Sequence, residues 1–168
     1  PKRDWSSDVC SSDLVAEMLA ILSSFAEIPV RQNFAMTGST NQFGDIQPVG
    51  GINEKLEGFY KVCKLLGRGR TYNAVIPHQN VTNLMLHREV REAVDRGYLK
   101  IYPVSHVREA FELVTGVSLG ITSVHDHSFS PGSALARIQE KFARKRADRR
   151  REDREWSHAA PTRERGKT

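Results

Sequence analysis

One lysine, Lys55, could do chemistry because of where it stands: it follows a double-glycine turn and lies in the first turn of a predicted helix. Gly50 and Gly51 permit backbone conformations that a side chain would forbid. Apolar residues then recur at helical spacing over residues 54–66, and Lys55 adjoins the apolar face that they form. Such a lysine either extends its amine to water or is held there for chemistry. The residues alone favour the first alternative and leave the second open.

One chemistry open to a lysine held in this way is general-base catalysis. Serine is a weak nucleophile until a base takes its proton, and a lysine can be that base only in its neutral form. Burial in an apolar pocket disfavours the charged form of an amine. The apolar helix face beside Lys55 could provide that pocket.

The elements that must position Lys55 alternate between strand and helix, which predicts an α/β domain. Short apolar or alternating runs predict strands at residues 33–38, around Ile46, at 74–76 and at 99–104. Helical periodicity predicts helices at residues 15–25, 54–66, 89–96 and 106–115. The first of these is apolar all round, which predicts a well-buried helix. Asn53 and Asn80 are predicted helix caps.

The turn and its neighbours together resemble one family, the proteolytic domain of Lon peptidases. The motifs that carry the resemblance lie in residues 34–39, 44–55, 74–80 and 101–110. The closer match is to the Lon-related ATP-dependent proteases of bacteria, through residues 15–19, 29–32 and 53–59. The resemblance covers about residues 15–117, with a weaker echo at residues 131–143. It implies the Lon proteolytic fold, a relative of the ribosomal S5 domain 2-like fold.

The resemblance also implies the roles of three residues. Lys55 corresponds to the lysine of the family's Ser-Lys catalytic dyad. Thr37 matches the threonine that hydrogen-bonds the lysine amine, although the residue alone reads as an ordinary threonine at a strand end. Ser12 matches the family serine by position only, because the family places its serine in a Gly-Asp-Ser-Ala-Ser run. Here Ser11, Asp13 and Leu14 surround it instead.

The residues around Ser12 have a second interpretation. Residues 4–14 match one reading frame of a widely used sequencing-adapter oligonucleotide. We therefore interpret residues 1–14 as adapter-derived sequence joined to a gene fragment. On this interpretation the proteolytic domain, residues 15–117, is truncated at its N-terminus. An acid at Asp13 would also keep a nearby lysine protonated, which opposes the base role.

Charge divides the chain into two unlike parts. The 168 residues carry a formal net charge of +5, but from Arg137 onward there are 12 Lys/Arg and 6 Asp/Glu. The tail is therefore basic and the rest is nearly neutral. We divide the remainder into a loop at residues 118–132, a basic amphipathic helix at 133–151 and a disordered tail at 152–168. The helix is predicted to bury a stripe of Leu135, Ile138 and Phe142.

Cysteine and histidine give little support for a metal or a disulfide. With Cys10 assigned to the adapter, Cys63 is a single helix-face cysteine that reads as packing. His125, Asp126 and His127 could ligate a metal, but no partner cluster accompanies them. We predict no metal. No apolar run reaches the roughly 20 residues of a membrane span, so we expect no membrane partner and a cytoplasmic protein.

Three functions follow as expectations. The first is a Ser-Lys endopeptidase domain that acts on protein substrates, within a parent protein that forms a homo-oligomeric ring. ATP would bind an upstream domain, because this sequence has no Gly-x-x-x-x-Gly-Lys-Ser/Thr motif and no cofactor is predicted for it. The second is a peptidase-fold domain that is inactive because its serine motif is replaced. The third is nucleic-acid binding through the basic tail.

Overall fold

The computed structural model describes residues 12–67, 71–120 and 129–159. Its centre is a parallel three-stranded sheet in the order β1 (Phe34–Met36), β4 (Tyr72–Pro77), β5 (Leu99–Val104). A short antiparallel hairpin, β2 (Ser39–Thr40) and β3 (Ile46–Gln47), follows β1. The helices are α1 (Leu14–Ala26), α2 (Ile52–Leu66), α3 (Arg88–Asp95), α4 (Val107–Thr115) and α5 (Ala134–Ala159). The α/β class with a parallel sheet is confirmed, while the relation to the ribosomal S5 fold stays a prediction.

Strand β4 is buried along its whole length because helices cover both faces of the sheet. Side chains alternate across a strand, so neighbouring residues of β4 enter different cores. Val75 packs into a core formed mainly with α1 and α4, whereas Ala74 and Ile76 pack into a core formed mainly with α2 and α3. The residues predicted to face inward from α4 are all buried: Val107, Ala110, Phe111 and Val114.

The structure corrects three predictions about helices. Asn53 does not cap α2, because Gly51 holds the N-cap position with φ of 65°, in the left-handed region that favours glycine. Asn80 does not cap a helix either; it lies inside a 3₁₀ helix, His78–Asn83. Helix α1 is not buried all round, since Ile21 is 54% exposed and Phe25 46% exposed. The sheet, α4 and α5 cover only one side of it.

Helix α5 is longer than the sequence pattern predicts. It continues to Ala159, so residues 152–159 are helical where a disordered tail is expected. Leu135 and Ile138 pack against the core as predicted, but Phe142 stays 43% exposed and only meets the ring of Phe25. The second half of the helix carries no apolar stripe, so the stripe criterion cannot detect it. Residues 160–168 lie outside the described residues.

Candidate active site

The site forms at one edge of the sheet, where the carboxyl ends of the parallel strands meet. Thr37 directly follows β1, and its backbone N–H continues the ladder by donating to the carbonyl of Val75, with an N–O distance of 3.1 Å. Asn80 follows β4 in the 3₁₀ helix, and His106 follows β5 as the N-cap of α4. Polar groups that follow parallel strands are brought together in this way.

The turn before α2 brings Lys55 to the same edge. The backbone N–H of Lys55 donates to the carbonyl of Gly51 at 3.0 Å, which closes the first turn of the helix. Lys55 is half-buried, and its Nζ donates to Oγ1 of Thr37 at 3.2 Å. The lysine is therefore turned toward the strand ends rather than extended into solvent.

The hydroxyl of Thr37 links the lysine to Ser12. Thr37 Oγ1 donates to the backbone carbonyl of Ser12 at 3.0 Å, and the N–H of Gly38 donates to the same carbonyl at 2.7 Å. Ser12 is only 8% exposed and lies two residues before α1. The structure thus places all three predicted site residues together.

The Ser12 hydroxyl, however, is not hydrogen-bonded to the Lys55 amine. Ser12 Oγ donates to Oδ1 of Asp13 at 3.2 Å. Among the described residues Lys55 Nζ bonds Thr37, and no hydrogen bond joins it to Ser12 Oγ. The Ser12 hydroxyl proton, which a base would have to take, is therefore hydrogen-bonded to Asp13.

The surroundings of the amine are apolar on one side. A cavity of about 60 Å³ opens between the sheet and α2, beside Thr37 and Lys55. Its other walls are Ala35, Met36, Leu56, Phe59, Ala74, Val75 and Ile76. Apolar walls on this side reduce the access of water to the amine.

Asn80 contributes to the site in a way that the sequence pattern missed. Its side chain is 2% exposed and makes two hydrogen bonds to one residue of the turn before α2: Oδ1 accepts from the N–H of Val49 at 3.0 Å, and Nδ2 donates to its carbonyl at 2.9 Å. These bonds fix the turn that positions Lys55. The sequence signal was a polar residue three positions beyond the proline that ends a strand, which also fits a cap.

Glycine and histidine hold the hairpin against the site. A Cβ at Gly38 would lie 3.0 Å from Cγ2 of Val15 and 3.2 Å from Cγ2 of Ile46, so this position has little room for a side chain. His106 Nδ1 accepts from the N–H of Arg108 at 3.1 Å, which leaves Nε2 to donate to the carbonyl of Phe43 at 3.1 Å. The ring therefore fastens the β2–β3 loop to the start of α4.

Groups that could hold a metal are not gathered in the described part of the chain, where no cluster of three or more His, Cys, Asp or Glu occurs. His125, Asp126 and His127 lie outside it. Cys63 is buried, and burial raises the pKa of its thiol. Within the described residues, no helix combines the length and apolar character needed to cross a membrane.

Comparison with known proteins gives this arrangement a context. A family model described as the Lon protease (S16) C-terminal proteolytic domain matches residues 9–116. A Lon protease homolog of Escherichia coli (strain K12) is 43% identical over 100 residues, which are 60% of this chain and 17% of that protein. One of Haemophilus influenzae is 34% identical over 137 residues, 82% of this chain and 22% of that protein.

A more distant relative is the archaeal Lon protease of Pyrococcus abyssi, 29% identical over 133 residues, which are 70% of this chain and 13% of that protein. The chain therefore spans about a fifth of the length of its bacterial relatives: 17% of the Escherichia coli protein and 22% of the Haemophilus influenzae protein. The family match begins at residue 9, inside the stretch that resembles a translated adapter.

Proposed function

Because this chain belongs to the Lon protease (S16) C-terminal proteolytic domain family, we propose that it carries the chemistry of a serine endopeptidase with a Ser-Lys dyad. The observation that supports this best is the hydrogen bond from Lys55 Nζ to Thr37 Oγ1, at 3.2 Å, in a half-buried position beside an apolar cavity. The same threonine bonds the backbone of Ser12, which matches the family serine by position only.

The reaction is acyl transfer to a serine hydroxyl. The neutral amine of Lys55 takes the hydroxyl proton, the serine oxygen attacks the peptide carbonyl, and the protonated amine then returns a proton to the leaving amine. Thr37 orients the amine without adding a charge. Helix α1 follows the serine, and the N–H of Val15 in its first turn donates to the carbonyl of Gly38. The N–H groups of Leu14 and Ala16 are suited to stabilise the oxyanion, because a helix leaves its first N–H groups without intrahelical partners. Water then hydrolyses the acyl-enzyme.

A second candidate is a peptidase-fold domain without activity, and one contact favours it. Ser12 Oγ donates to Asp13, and a carboxylate there holds the hydroxyl proton that a base would have to take. This candidate applies to the chain with its present residues 4–14, which match a translated adapter. It does not apply to a chain in which the family's Gly-Asp-Ser-Ala-Ser run stands before α1.

The test uses two forms of the full 168-residue chain. One is the present sequence; the other carries Cys10→Gly, Ser11→Asp, Asp13→Ala and Leu14→Ser, which restores the family's run around Ser12. Both are incubated with a fluorogenic peptide library and with a fluorophosphonate probe. We expect the restored chain to cleave peptides and to be labelled at Ser12. Ser12→Ala in the restored chain is the matched control. Failure of the restored chain to label or cleave while it remains folded would overturn the peptidase proposal.

Further properties of the parent protein belong to the same proposal. Its substrates are proteins or peptides, it assembles as a homo-oligomeric ring, and it works in the cytoplasm. ATP is bound by another part of the parent, because the sequence here has no phosphate-binding Gly-x-x-x-x-Gly-Lys-Ser/Thr motif. Measurable ATP hydrolysis by the purified 168 residues would contradict this division of labour. Light scattering of the restored chain tests whether this domain is sufficient for ring assembly.

A further inference from the structure

Helix α5 changes character halfway along its length. Its first half is anchored to α1, since Phe142 meets the ring of Phe25 with centroids 5.6 Å apart and Lys141 pairs with Glu27. Beyond Phe142, every described side chain from Ala143 to Arg154 is exposed. The second half therefore continues a packed helix, and none of the described residues covers it.

The exposed half is densely basic. Residues 144–151 contain six cations and one acid, and five of the six cations are arginine: Arg144, Lys145, Arg146, Arg149, Arg150 and Arg151. Eight helical residues rise about 12 Å, so the cations stand about one per 2 Å. Duplex nucleic acid carries about one negative charge per 1.7 Å of axis. The two linear charge densities are closely matched.

The six cations are available for a partner. Within the described part of the chain none of them forms an ion pair, whereas Lys141 is paired with Glu27. Arg144 and Lys145 lie near enough to Glu27 to lower the pKa of its carboxyl, after the larger effect of Lys141. They therefore border the body of the domain. Arg146 and Arg150, one helical turn apart, occupy a row on the other side of the helix.

We propose that residues 143–154 of α5 form a nucleic-acid-binding surface that contacts the phosphate backbone of a duplex. Arginine suits this partner because its planar fork binds phosphate oxygens through two hydrogen bonds. The surface is independent of the peptidase chemistry, since it uses none of the residues of that site. A partner bound by phosphate contacts alone is recognised without sequence specificity.

Two other partners fit this surface less well. A helix that lies on a membrane needs an apolar face as well as cations, and the only apolar side chains of residues 143–154 are Ala143 and Ala147. An acidic protein partner would be expected to bury aromatic or aliphatic anchors, which this segment also lacks. Phosphate contacts require neither.

The test measures binding of the full 168-residue chain by fluorescence anisotropy, with labelled duplex RNA and duplex DNA of one sequence, at several salt concentrations. The variant is Arg146→Gln, Arg149→Gln and Arg150→Gln, because glutamine keeps the helix propensity of arginine. The matched control removes three exposed cations elsewhere: Lys61→Gln, Arg91→Gln and Lys100→Gln. Circular dichroism confirms that α5 is retained.

We expect the chain to bind both duplexes, with affinity falling steeply as salt rises. The arginine variant should lose about tenfold or more in affinity near physiological salt, and its log–log salt slope should fall by about two to three. The control should change much less. Tighter binding of one duplex would identify which nucleic acid the surface prefers.

Three results would overturn the proposal. The first is an absence of duplex binding at low salt. The second is an equal loss of affinity in the arginine variant and the control, because binding would then follow total charge rather than this surface. The third is tighter binding to vesicles that contain anionic lipid than to either duplex, which would indicate a membrane surface instead.

Discussion

Lys55 and the arginines of α5 are cations on helices, but Lys55 is half-buried and the arginines are exposed to solvent. Lys55 lies in the first turn of α2, half-buried, with its amine bonded to Thr37 and apolar walls beside it. Arg146, Arg149 and Arg150 are exposed on the far half of α5. The first environment brings an amine next to polar groups of the site, which suits proton transfer, and the second leaves cations open to solvent, which suits binding to a polyanion. The sign of a charge therefore does not by itself indicate the function of a residue. The burial of the side chain and its hydrogen-bond partners are also needed.

The largest effect should follow removal of the enclosed cation. Lys55→Met in the chain with the restored Gly-Asp-Ser-Ala-Ser run should lower peptidase activity by about 10²–10⁴-fold, the usual contribution of a general base. Methionine keeps most of the length of the lysine stem, so the cavity wall is retained. Activity is measured with a fluorogenic peptide under kcat/KM conditions.

Lys61→Met is the matched control, because Lys61 lies on the same helix but is exposed. It should leave kcat/KM unchanged. Retention of full activity in Lys55→Met would show that this amine is not the base, whatever happens to the control.

The next effect concerns the turn that places Lys55. Asn80→Ala leaves the N–H and carbonyl of Val49 without the side chain that now binds both. Buried polar groups without partners cost about 1–3 kcal/mol, so we expect the free energy of unfolding in urea to fall by about that much, with a loss of activity in the restored chain.

Asn83→Ala is the comparison for Asn80→Ala, since Asn83 is an exposed residue of the same 3₁₀ helix. Its side chain accepts only a long contact from Thr82, at 3.5 Å. We expect a change within about 0.5 kcal/mol. Equal destabilisation by the two substitutions would mean that Asn80 acts through the 3₁₀ helix and not through Val49.

Sequence reasoning predicted the strands and helices around Lys55 better than it predicted the contacts. The double-glycine turn and apolar periodicity located α2 to within two residues of its start, because those patterns act locally. The bonds of Asn80 to Val49 join residues 31 apart, and the sequence offers only a polar residue after a proline. The same limit explains Asn53, whose side chain bonds the carbonyl of Asn83 and the N–H of Met85 instead of capping α2.

The site residues themselves came from resemblance, not from periodicity. Thr37 alone reads as a strand-end threonine, and only the folded chain brings its hydroxyl within 3.2 Å of Lys55 Nζ. The length of α5 was underestimated because its second half has no apolar stripe to detect. Nothing in the pattern of Ser11, Ser12 and Asp13 indicates that the Ser12 hydroxyl bonds Asp13, because that depends on a side-chain conformation.

The exposed cations should matter little to stability, in contrast to Lys55 and its supports. Arg146→Gln, Arg149→Gln and Arg150→Gln together should change the free energy of unfolding by no more than about 0.5 kcal/mol per position, since surface substitutions away from packed contacts have small effects. Urea unfolding at constant ionic strength measures it. A loss of several kcal/mol would mean that the far half of α5 packs on the domain, and the binding surface would then be occupied.

The smallest effect is a shift in one titration. Lys141, by a hydrogen bond and its charge, lowers the pKa of Glu27 below the ordinary value of 4.5, with smaller effects from Arg144 and Lys145. A lowered carboxyl pKa adds stability above pH 4.5 that is lost as pH falls through the folded-state pKa, so this contribution disappears only in acid. Lys141→Met should move the Glu27 titration back up toward 4.5 in carbon-detected NMR, whereas Arg146→Met should leave it in place. An unshifted Glu27 titration in Lys141→Met would mean that the Glu27–Lys141 pair does not persist in solution. The first half of α5 would then not be anchored by this pair.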